Sequence, residues 1–285
     1  MSSTKFRTTY AAVLLAALAV ATAAAQTTIR VLDVGQGDAV LIQSQGRAAL
    51  VDAGADGTAA RALAGLRVVR IDLAVASHNH ADHIGGMPDV LASVPVRFYM
   101  DNAVPSRVAP YRATAAALRR SPATVRLRPV ARTFTLGSAR IHVLAPPAEI
   151  DGDPQNNHSI GLLVEQGAFR MLLTGDSEVE ELNYWMDAGL LPRVTVLKAA
   201  HHGSRNGVTP RLLAIVRPKA VVISSGAGNE YGHPHAAALR YYAAGGRSVW
   251  RTDLHGTVTI HVSADGAFRI TSARGTAPAL PIPTH

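Results

Sequence analysis

The stretch "SHNHADHIGG", residues 77–86, constrains the possible fold more than any other part of this chain. Within six positions it contains three of the 12 histidines and one aspartate. Alternate residues of an extended segment point the same way, so His78 and His80 can reach one metal ion. Asp82 and His83 follow and can reach a second ion beside the first. Such a string arises by chance in on the order of one chain in a thousand, so it predicts a metal site.

The composition limits which ligands such a site can use. The chain has 285 residues, of which 48% are hydrophobic and 17% charged, a balance typical of a globular protein rather than a disordered one. It contains no cysteine, which excludes disulfide bonds, thiolate ligands and a cysteine nucleophile. A transition-metal site must therefore be built from imidazole and carboxylate groups.

Residues 1–25 have the pattern of a secretory signal peptide. Lys5 and Arg7 precede the apolar run "AAVLLAALAVATAAA", which ends in an A-x-A-like cleavage site. The alternative is an uncleaved membrane anchor, although the run is short for a full span and no stop-transfer sequence follows. We therefore expect a secreted or periplasmic bacterial protein, with no stable membrane insertion after cleavage. Residues 26–275 are expected to form one domain, followed by a flexible tail at 276–285.

The formal net charge is +8, and it falls to about +6 once Lys5 and Arg7 are removed with the signal. Arginine supplies 25 of the 28 basic residues, and many of these crowd one segment. Guanidinium groups pair bidentately with phosphate, so the segment predicts either an anion-binding surface or simply a solvated face of an arginine-rich protein. The arginines concerned are Arg107, Arg112, Arg119, Arg120, Arg126, Arg128, Arg132 and Arg140.

Short β-rich runs dominate the chain and fall into two blocks, each accompanied by helical segments. "DAVLIQS", "RAALVDAG" and "RIDLAVAS" are typical of strands in the first block, and "SIGLLVEQ" and "KAVVISSG" in the second. "VAPYRATAAALRR" and "SEVEELNYWMDAG" have helical spacing. This order predicts two β-sheets packed face to face with helices outside.

Another candidate ligand is Asp176, the last residue of the apolar run "FRMLLTGD", which is typical of a buried strand. A carboxylate at the tip of an apolar strand is costly unless it is paired or binds a metal. Two metal ions about 3.5–4 Å apart share bridging ligands, so Asp176 is a candidate bridge. The alternative is that Asp176 only caps the following helix.

Together these motifs are similar to those of the metallo-β-lactamase-fold hydrolase superfamily. "LDVGQGDAVLIQ", "NNHSIGLLVEQGAFRMLLTGD", "LKAAHHGS" and "NEYGHPH" resemble more narrowly the extracytoplasmic hydrolase domain of ComEC DNA-uptake proteins, and also bacterial phosphorylcholine esterases. The resemblance covers residues from about 28 to about 262. It implies an α+β fold, an αββα four-layer sandwich, with the site at one edge between the sheets.

The resemblance also implies ligand roles. His78 and His80 would bind one metal ion, Asp82 and His83 the other, and Asp176 would bridge them. The resemblance assigns roles to three further positions. His158 stands where the superfamily often has its third histidine for the first metal, His233 or alternatively His235 would complete the second, and Asp52 would steady the histidine loop.

The pair His201 and His202 matches a place where related phosphodiesterases use a histidine to protonate the leaving group or to hold the phosphate. Adjacent residues of an extended chain point in opposite directions, so we expect only one of the two to face the metals. Gly203 and Ser204 could add a backbone N–H and a hydroxyl to a phosphate oxygen. The alternative is that the pair only packs locally.

The predicted activity follows from this site. Two divalent ions, Zn2+ first and Mn2+ as a second option, would activate a bridging hydroxide. We expect a secreted phosphodiesterase or nuclease that acts on DNA or another phosphodiester, with a separate membrane DNA-uptake channel as a candidate partner. The alternatives are a phosphorylcholine or other small-ester hydrolase of the cell envelope, and a non-catalytic binding module that keeps the fold.

Overall fold

The computed structural model describes residues 26–275. The signal peptide predicted at 1–25 and the tail predicted at 276–285 lie outside the described residues. Within the described part, no helix has both the length and the apolar character needed to cross a bilayer. The secondary structure consists of two β-sheets and the helices that cover their outer faces.

The first sheet has eight strands in the order β15-β14-β1-β2-β3-β4-β5-β6, numbered along the chain. The ladder is antiparallel from β15 to β3 and parallel from β3 to β6. The strands are β1 Thr27–Val31, β2 Val40–Ser44, β3 Arg47–Val51, β4 Ile71–Val75, β5 Val96–Met100, β6 Val125–Leu127, β14 Val258–Val262 and β15 Phe268–Ser272.

The second sheet has seven strands in the order β13-β12-β11-β10-β9-β8-β7. It is parallel from β13 to β10 and antiparallel from β10 to β7. The strands are β7 Arg132–Leu136, β8 Ala139–Leu144, β9 Gly161–Gln166, β10 Phe169–Leu173, β11 Val196–Lys198, β12 Ala220–Ile223 and β13 Ser248–Arg251.

Helices pack on the outer face of each sheet, so the predicted four-layer αββα sandwich is confirmed. The first sheet carries α1 Thr58–Gly65, α3 Met87–Ser93 and α4 Ala109–Arg120. The second carries α5 Val179–Asp187, α6 Pro210–Val216 and α7 Ala236–Ala243. Two short helices, α2 Ala81–Ile84 and α8 Thr252–His255, lie in loops.

Strand alternation explains how one sequence fills three apolar layers. In β2, Leu41 packs under the outer helices, whereas its neighbour Ile42 packs between the sheets. Because successive side chains point to opposite faces and both faces are covered, such a strand reads as a continuous hydrophobic run. This is why the runs in the two blocks were recognisable as buried strands.

The strands β6 and β7 were not predicted. "VRL" in β6 is only three residues long and mostly exposed, and β7 "RTFTL" is only partly buried. Both are terminal strands of their sheets, so one side of each lacks a neighbouring strand. Edge strands carry polar residues and a weak hydrophobic pattern, which makes them hard to distinguish from loops.

The loops that carry the predicted site residues emerge from one end of the sandwich. The histidine loop follows β4, Asp176 follows β10, and the histidine pair follows β11. Parallel strands place their carboxyl ends at the same edge, where side chains from successive loops meet. The topology therefore brings together residues that are about a hundred positions apart in the sequence.

Candidate metal centre

The histidine loop leaves β4 in a conformation that sets two imidazoles side by side. His78 Nε2 lies 3.0 Å from His80 Nδ1. The residue between them, Asn79, points the other way and donates hydrogen bonds to Asn102 Oδ1 (2.7 Å) and to the carbonyl of Val104 (2.8 Å). These bonds fix the loop against a neighbouring segment, so the two histidines are held in position before any ligand binds.

The short helix α2 presents the next two residues of the motif. His83 Nδ1 lies 2.9 Å from Asp52 Oδ2, and Asp52 also accepts hydrogen bonds from the backbone N–H and hydroxyl of Ser77, at 2.7 and 2.8 Å. All three side chains are buried. Asp52 therefore fixes both the loop and the ring orientation of His83, which leaves Nε2 facing the centre of the site.

The Asp176 carboxylate occupies that centre. Its Oδ2 lies 3.1 Å from His83 Nε2, 3.3 Å from His202 Nε2 and 4.0 Å from His78 Nε2. The backbone N–H of Asp176 donates to Ser159 Oγ at 3.1 Å. Its Oδ1 is buried and has no hydrogen-bond partner. A buried carboxylate oxygen left without a partner is costly, which favours a cation as its missing partner.

The histidine pair adopts an unusual backbone. Both His201 (φ 49°) and His202 (φ 53°) are in the left-handed region, which non-glycine residues rarely occupy. As a result both rings face the site: His202 Nε2 lies 3.1 Å from Asp82 Oδ2, and His201 Nε2 lies 3.8 Å from Asp176 Oδ2. The two residues lie in a 3-10 turn and are not extended, so the extended geometry behind the expected opposite orientation does not apply.

A second buried carboxylate orients His202, and sequence reasoning missed it. His202 Nδ1 lies 3.1 Å from the carbonyl of Ser224 and 3.3 Å from Asp38 Oδ1. Asp38 in turn forms a buried ion pair with Lys198. The sequence clue was a lysine inside the apolar strand run "RVTVLKAA", because a fully buried lysine requires an acidic partner.

Electrostatics in the cluster follow from this packing. Burial alone lowers the pKa of His83, but the carboxylates of Asp176 and Asp52 raise it well above its usual value. Burial likewise opposes protonation of His202, and Asp176 and Asp38 raise its pKa well above the usual value. Burial raises the pKa of Asp176, yet His202 and His83 hold it well below its usual value. The site therefore strongly favours positive charge next to ionised carboxylates.

The donor set fits divalent cations. One ligand atom from each of Asp38, His83, Asp176 and His202 lies within 4.8 Å of the others, and all four residues are buried. Imidazole nitrogen and carboxylate oxygen suit Zn2+ and Mn2+ alike. Together with the unpartnered oxygen of Asp176, this arrangement matches a metal site rather than a purely structural ion pair.

The remaining candidate ligands are His158, His233 and His235. His158 is half-buried in the turn Asn156–His158, and its Nδ1 is buried without a hydrogen-bond partner. The His233 ring centroid lies 5.5 Å from that of His201 and 6.1 Å from that of His202. Burial, with His202 nearby, lowers the pKa of His233 to about 4. His235 Nδ1 accepts a hydrogen bond from the backbone N–H of Arg205.

His233 was expected to complete the ligands of the second metal, but within residues 26–275 it is His202 that lies against the carboxylates. His202 approaches both Asp82 and Asp176, whereas no hydrogen bond or ion pair joins His233 to either. The role of His233 as a ligand stays a prediction. Its ring lies at the mouth of the site, stacked on Tyr231 at a centroid distance of 5.8 Å.

A cavity of about 380 Å³ opens directly onto these groups. His201, whose side chain is 21% exposed, forms part of its wall, and His201 Nδ1 lies 3.4 Å from Glu178 Oε1. The lining residues are Gln36, His80, Ala81, Asp82, Val108, Asn156, Asp176, His201, His202, Tyr231 and His233. A small ester or one segment of a polymer can therefore reach the carboxylates and imidazoles from solvent.

Comparison with protein families identifies the fold family. The model of the metallo-beta-lactamase superfamily matches residues 32–227, more than half of the chain. The chain belongs to this superfamily. The matched range contains the histidine loop, Asp176 and the pair His201–His202.

Two curated relatives confirm the resemblance to ComEC proteins. ComE operon protein 3 of Bacillus subtilis is 36% identical over 119 residues, 42% of this chain and 15% of that protein. Recombination protein 2 of Haemophilus influenzae is 29% identical over 245 residues, 82% of this chain and 29% of that protein. The chain therefore spans less than a third of the length of these relatives.

A solved structure shows the same superfamily fold. The metallo-beta-lactamase fold protein YhfI from Bacillus subtilis matches with a TM-score of 0.53 and 14% identity. The match covers 86% of this chain and 99% of that chain. At this identity the likeness concerns the fold alone, so the chemistry has to be argued from the residues of the site.

Proposed function

We propose that this protein is a dinuclear metal-dependent hydrolase and that its substrates are phosphodiesters. The position of the Asp176 carboxylate carries the proposal, because one oxygen approaches the Nε2 atoms of His83, His202 and His78. A carboxylate shared in this way suits a bridging ligand between two cations. Most members of the superfamily are metal-dependent hydrolases, and the residues required for that chemistry are present.

The proposed ligand sets use the observed neighbours. His78, His80 and His158 would hold one ion. Asp82, His83 and His202 would hold the other, with Asp176 between them, so His202 takes the place first assigned to His233. When bound, the two ions would supply an activated water nucleophile and stabilise the negative charge of the transition state. Asp52 and Asp38 each orient one imidazole through its second nitrogen.

The residues around the cavity provide the other functions of the reaction. We assign His201 as the group that donates a proton to the leaving oxygen, because its ring faces the cavity and remains partly exposed. Glu178, 3.4 Å from His201 Nδ1, would hold the ring in that orientation. His233, which is neutral at pH 7 because of its lowered pKa, lines the same cavity and can hydrogen-bond to a phosphate oxygen there.

Three observations support a phosphodiester rather than another ester. Without Lys5 and Arg7 the chain keeps a formal net charge of about +6, which favours anionic substrates. Two imidazoles, His201 and His233, face the cavity beside the proposed ligands. One relative carries the name recombination protein, which is consistent with a nucleic-acid substrate. This proposal includes a role in DNA uptake and export directed by residues 1–25. It also includes cooperation with a separate membrane channel.

The proposal is tested with purified protein corresponding to residues 26–285. Hydrolysis of bis-p-nitrophenyl phosphate and of single-stranded DNA is measured with Zn2+ or Mn2+ and with a chelator. We expect metal-dependent turnover in both assays and a loss of at least about a thousandfold in Asp82→Ala. His261→Ala, a histidine on β14 remote from the cavity, serves as the matched control. Absence of turnover on both substrates with either metal would contradict the proposal.

A further inference from the structure

The excess positive charge of the chain is confined to one segment. Residues 102–148 contain eight arginines and no aspartate or glutamate. The whole chain has 28 basic and 20 acidic residues, so removing these eight arginines leaves 20 of each sign elsewhere. The rest of the molecule is therefore formally neutral. Such segregation concentrates a positive potential on one region instead of spreading it over the surface.

Much of this charge is exposed and lacks an acidic partner. Within the described residues, five exposed arginines of the segment form no ion pair, whereas Arg126 pairs with Asp101 and Arg140 with Glu165. Arg112 Nη1 donates to the carbonyl of Arg107 at 2.7 Å, which leaves its other N–H groups and the remaining guanidinium groups available to an external anion. We call the five the arginine stripe: Arg107, Arg112, Arg119, Arg120 and Arg128.

The geometry of α4 aligns part of the stripe. The helix buries Thr114, Ala117 and Leu118 and packs against α2 and α3. Arg112 and Arg119 are seven residues apart, two helical turns, and therefore lie one above the other on the opposite, solvent-facing side. They are about 10 Å apart along the helix axis. A linear polyanion lying along α4 would meet both side chains.

The stripe begins at the mouth of the cavity. Val108, which lines the cavity, lies between Arg107 and the first residue of α4. The segment before it is fixed to the site, because Asn79 donates to the carbonyl of Val104 and Gln155 Nε2 donates to that of Pro105 at 3.1 Å. The arginines are thus held in a defined position relative to the histidine loop.

An exposed aromatic ring also lines this cavity. Tyr231 is 57% exposed, lines the cavity and stacks on His233. An exposed tyrosine face beside a phosphate-binding surface is an arrangement on which an unpaired base can stack. Phosphate groups alone would occur in many polyanions, but the combination with a stacking ring favours a nucleic acid whose bases are not paired.

We propose that the arginine stripe binds a single-stranded nucleic acid and directs it into the cavity. The inference rests on the proposed function for the fate of the strand, but binding itself requires no turnover. Phosphates along the strand pair with Arg112 and Arg119, and a base near the cavity stacks on Tyr231. The stripe therefore separates polymeric substrates from small diesters, which occupy only the cavity.

Binding is tested on protein without its signal segment, in the presence of chelator so that no cleavage occurs. Fluorescence anisotropy of a labelled oligothymidylate is recorded at increasing NaCl concentration. The double variant Arg112→Gln/Arg119→Gln removes two charges from the stripe and keeps long polar side chains on the helix. The matched control is Arg193→Gln/Arg269→Gln, which removes two exposed arginines without ion pairs, one of them on β15 at the opposite edge of the first sheet.

We expect the stripe variant to bind about tenfold more weakly at low salt, with a log–log salt slope reduced by about 1.4, because each phosphate contact in a single strand contributes about 0.7. The control variant should keep the slope of the unchanged protein. Equal slopes in all three proteins would overturn the inference. Loss of binding to anionic phospholipid vesicles in the stripe variant, with binding to the oligonucleotide retained, would also overturn it.

A kinetic measurement separates this inference from the proposed function. The ratio of kcat/KM for the oligonucleotide to kcat/KM for bis-p-nitrophenyl phosphate should fall about tenfold in the stripe variant and stay within about twofold in the control. Failure of every protein to hydrolyse either substrate contradicts the proposed function while the anisotropy result stands. Turnover of the diester with an unchanged ratio contradicts only the stripe.

Discussion

At the residue scale, two imidazoles of the site are each oriented by a buried carboxylate. Asp52 contacts the Nδ1 atom of His83, and Asp38 contacts that of His202. The first pair could be predicted because Asp52 belongs to a motif shared with the family. The second was not predicted: Asp38 and Lys198 are 160 positions apart, and Asp38 received no role although it lies in the stretch "LDVGQGDAVLIQ".

The two adjacent histidines should respond differently to substitution. His202→Ala removes a buried ring that contacts Asp82 and Asp176, so we expect loss of one bound metal ion and of activity. His201→Ala should keep both ions and lower kcat by about 10²–10⁴, the usual contribution of a general acid. Metal analysis and steady-state kinetics on both variants provide the test. Loss of metal in His201→Ala, with His202→Ala fully loaded, would reverse the assignment.

The buried ion pair predicts non-additive effects on stability and metal affinity. Asp38→Asn or Lys198→Met alone leaves an uncompensated buried charge and should lower the free energy of unfolding by about 3–5 kcal/mol. The double variant should lose less than the sum of the two. Since Asp38 also orients His202, Asp38→Asn should weaken metal binding by about 10–100-fold.

Urea denaturation and competition with a chelator measure the two effects. Asp72→Asn is the control, because Asp72 pairs with Arg47 and Arg70 near the surface, where an ion pair contributes about 1 kcal/mol or less. Additive losses in the double variant would show that the pair is not coupled. An unchanged metal affinity in Asp38→Asn would show that Asp38 does not position His202.

At the element scale, the site depends on loops that pass very close to one another. The loop between β1 and β2 contacts α2: the backbone N–H of Asp38 donates to the carbonyl of Asp82 at 3.2 Å. The strands and longer helices could be predicted from their periodicity. The loop contacts could not, because they depend on the meeting of distant chain segments and on positive φ values at His201 and His202, which no local pattern indicates.

Gly37 is the residue that permits this loop contact. A Cβ atom at Gly37 would lie 2.1 Å from the carbonyl oxygen of Asp82, and its φ is +128°. Gly37→Ala should therefore displace Asp82, reduce the bound metal from two ions to one and lower the free energy of unfolding by about 2–4 kcal/mol. Thermal unfolding and metal analysis check both effects.

Gly35→Ala is the matched control in the same loop. Gly35 also has a positive φ, +74°, but nothing lies within 4 Å of the added Cβ. We expect a loss of about 1–2 kcal/mol from backbone conformation alone and full retention of metal. If both variants lost metal equally, loop strain rather than contact with Asp82 would explain the result.

At the scale of the whole molecule, the apolar residues that stabilise the four-layer fold lie apart from the polar residues of the site. The apolar layers between and outside the sheets contain the buried side chains, and the strand ends carry the polar site. The fold was predictable because the buried strands appear in the sequence as hydrophobic runs and the helices as a hydrophobic periodicity. The arginine-rich segment could be recognised from the composition. Its position next to the cavity follows only from the structure, which places Val108 at the cavity directly before α4.

The most direct test of the central claim is a metal titration of chelator-treated protein, with hydrolysis of bis-p-nitrophenyl phosphate recorded at each addition of Zn2+ or Mn2+. Two ions held by the imidazole and carboxylate cluster predict turnover that rises with added metal and saturates at two equivalents per chain. Turnover that is independent of metal, or no turnover of this diester or of single-stranded DNA at any loading with either ion, would contradict the account.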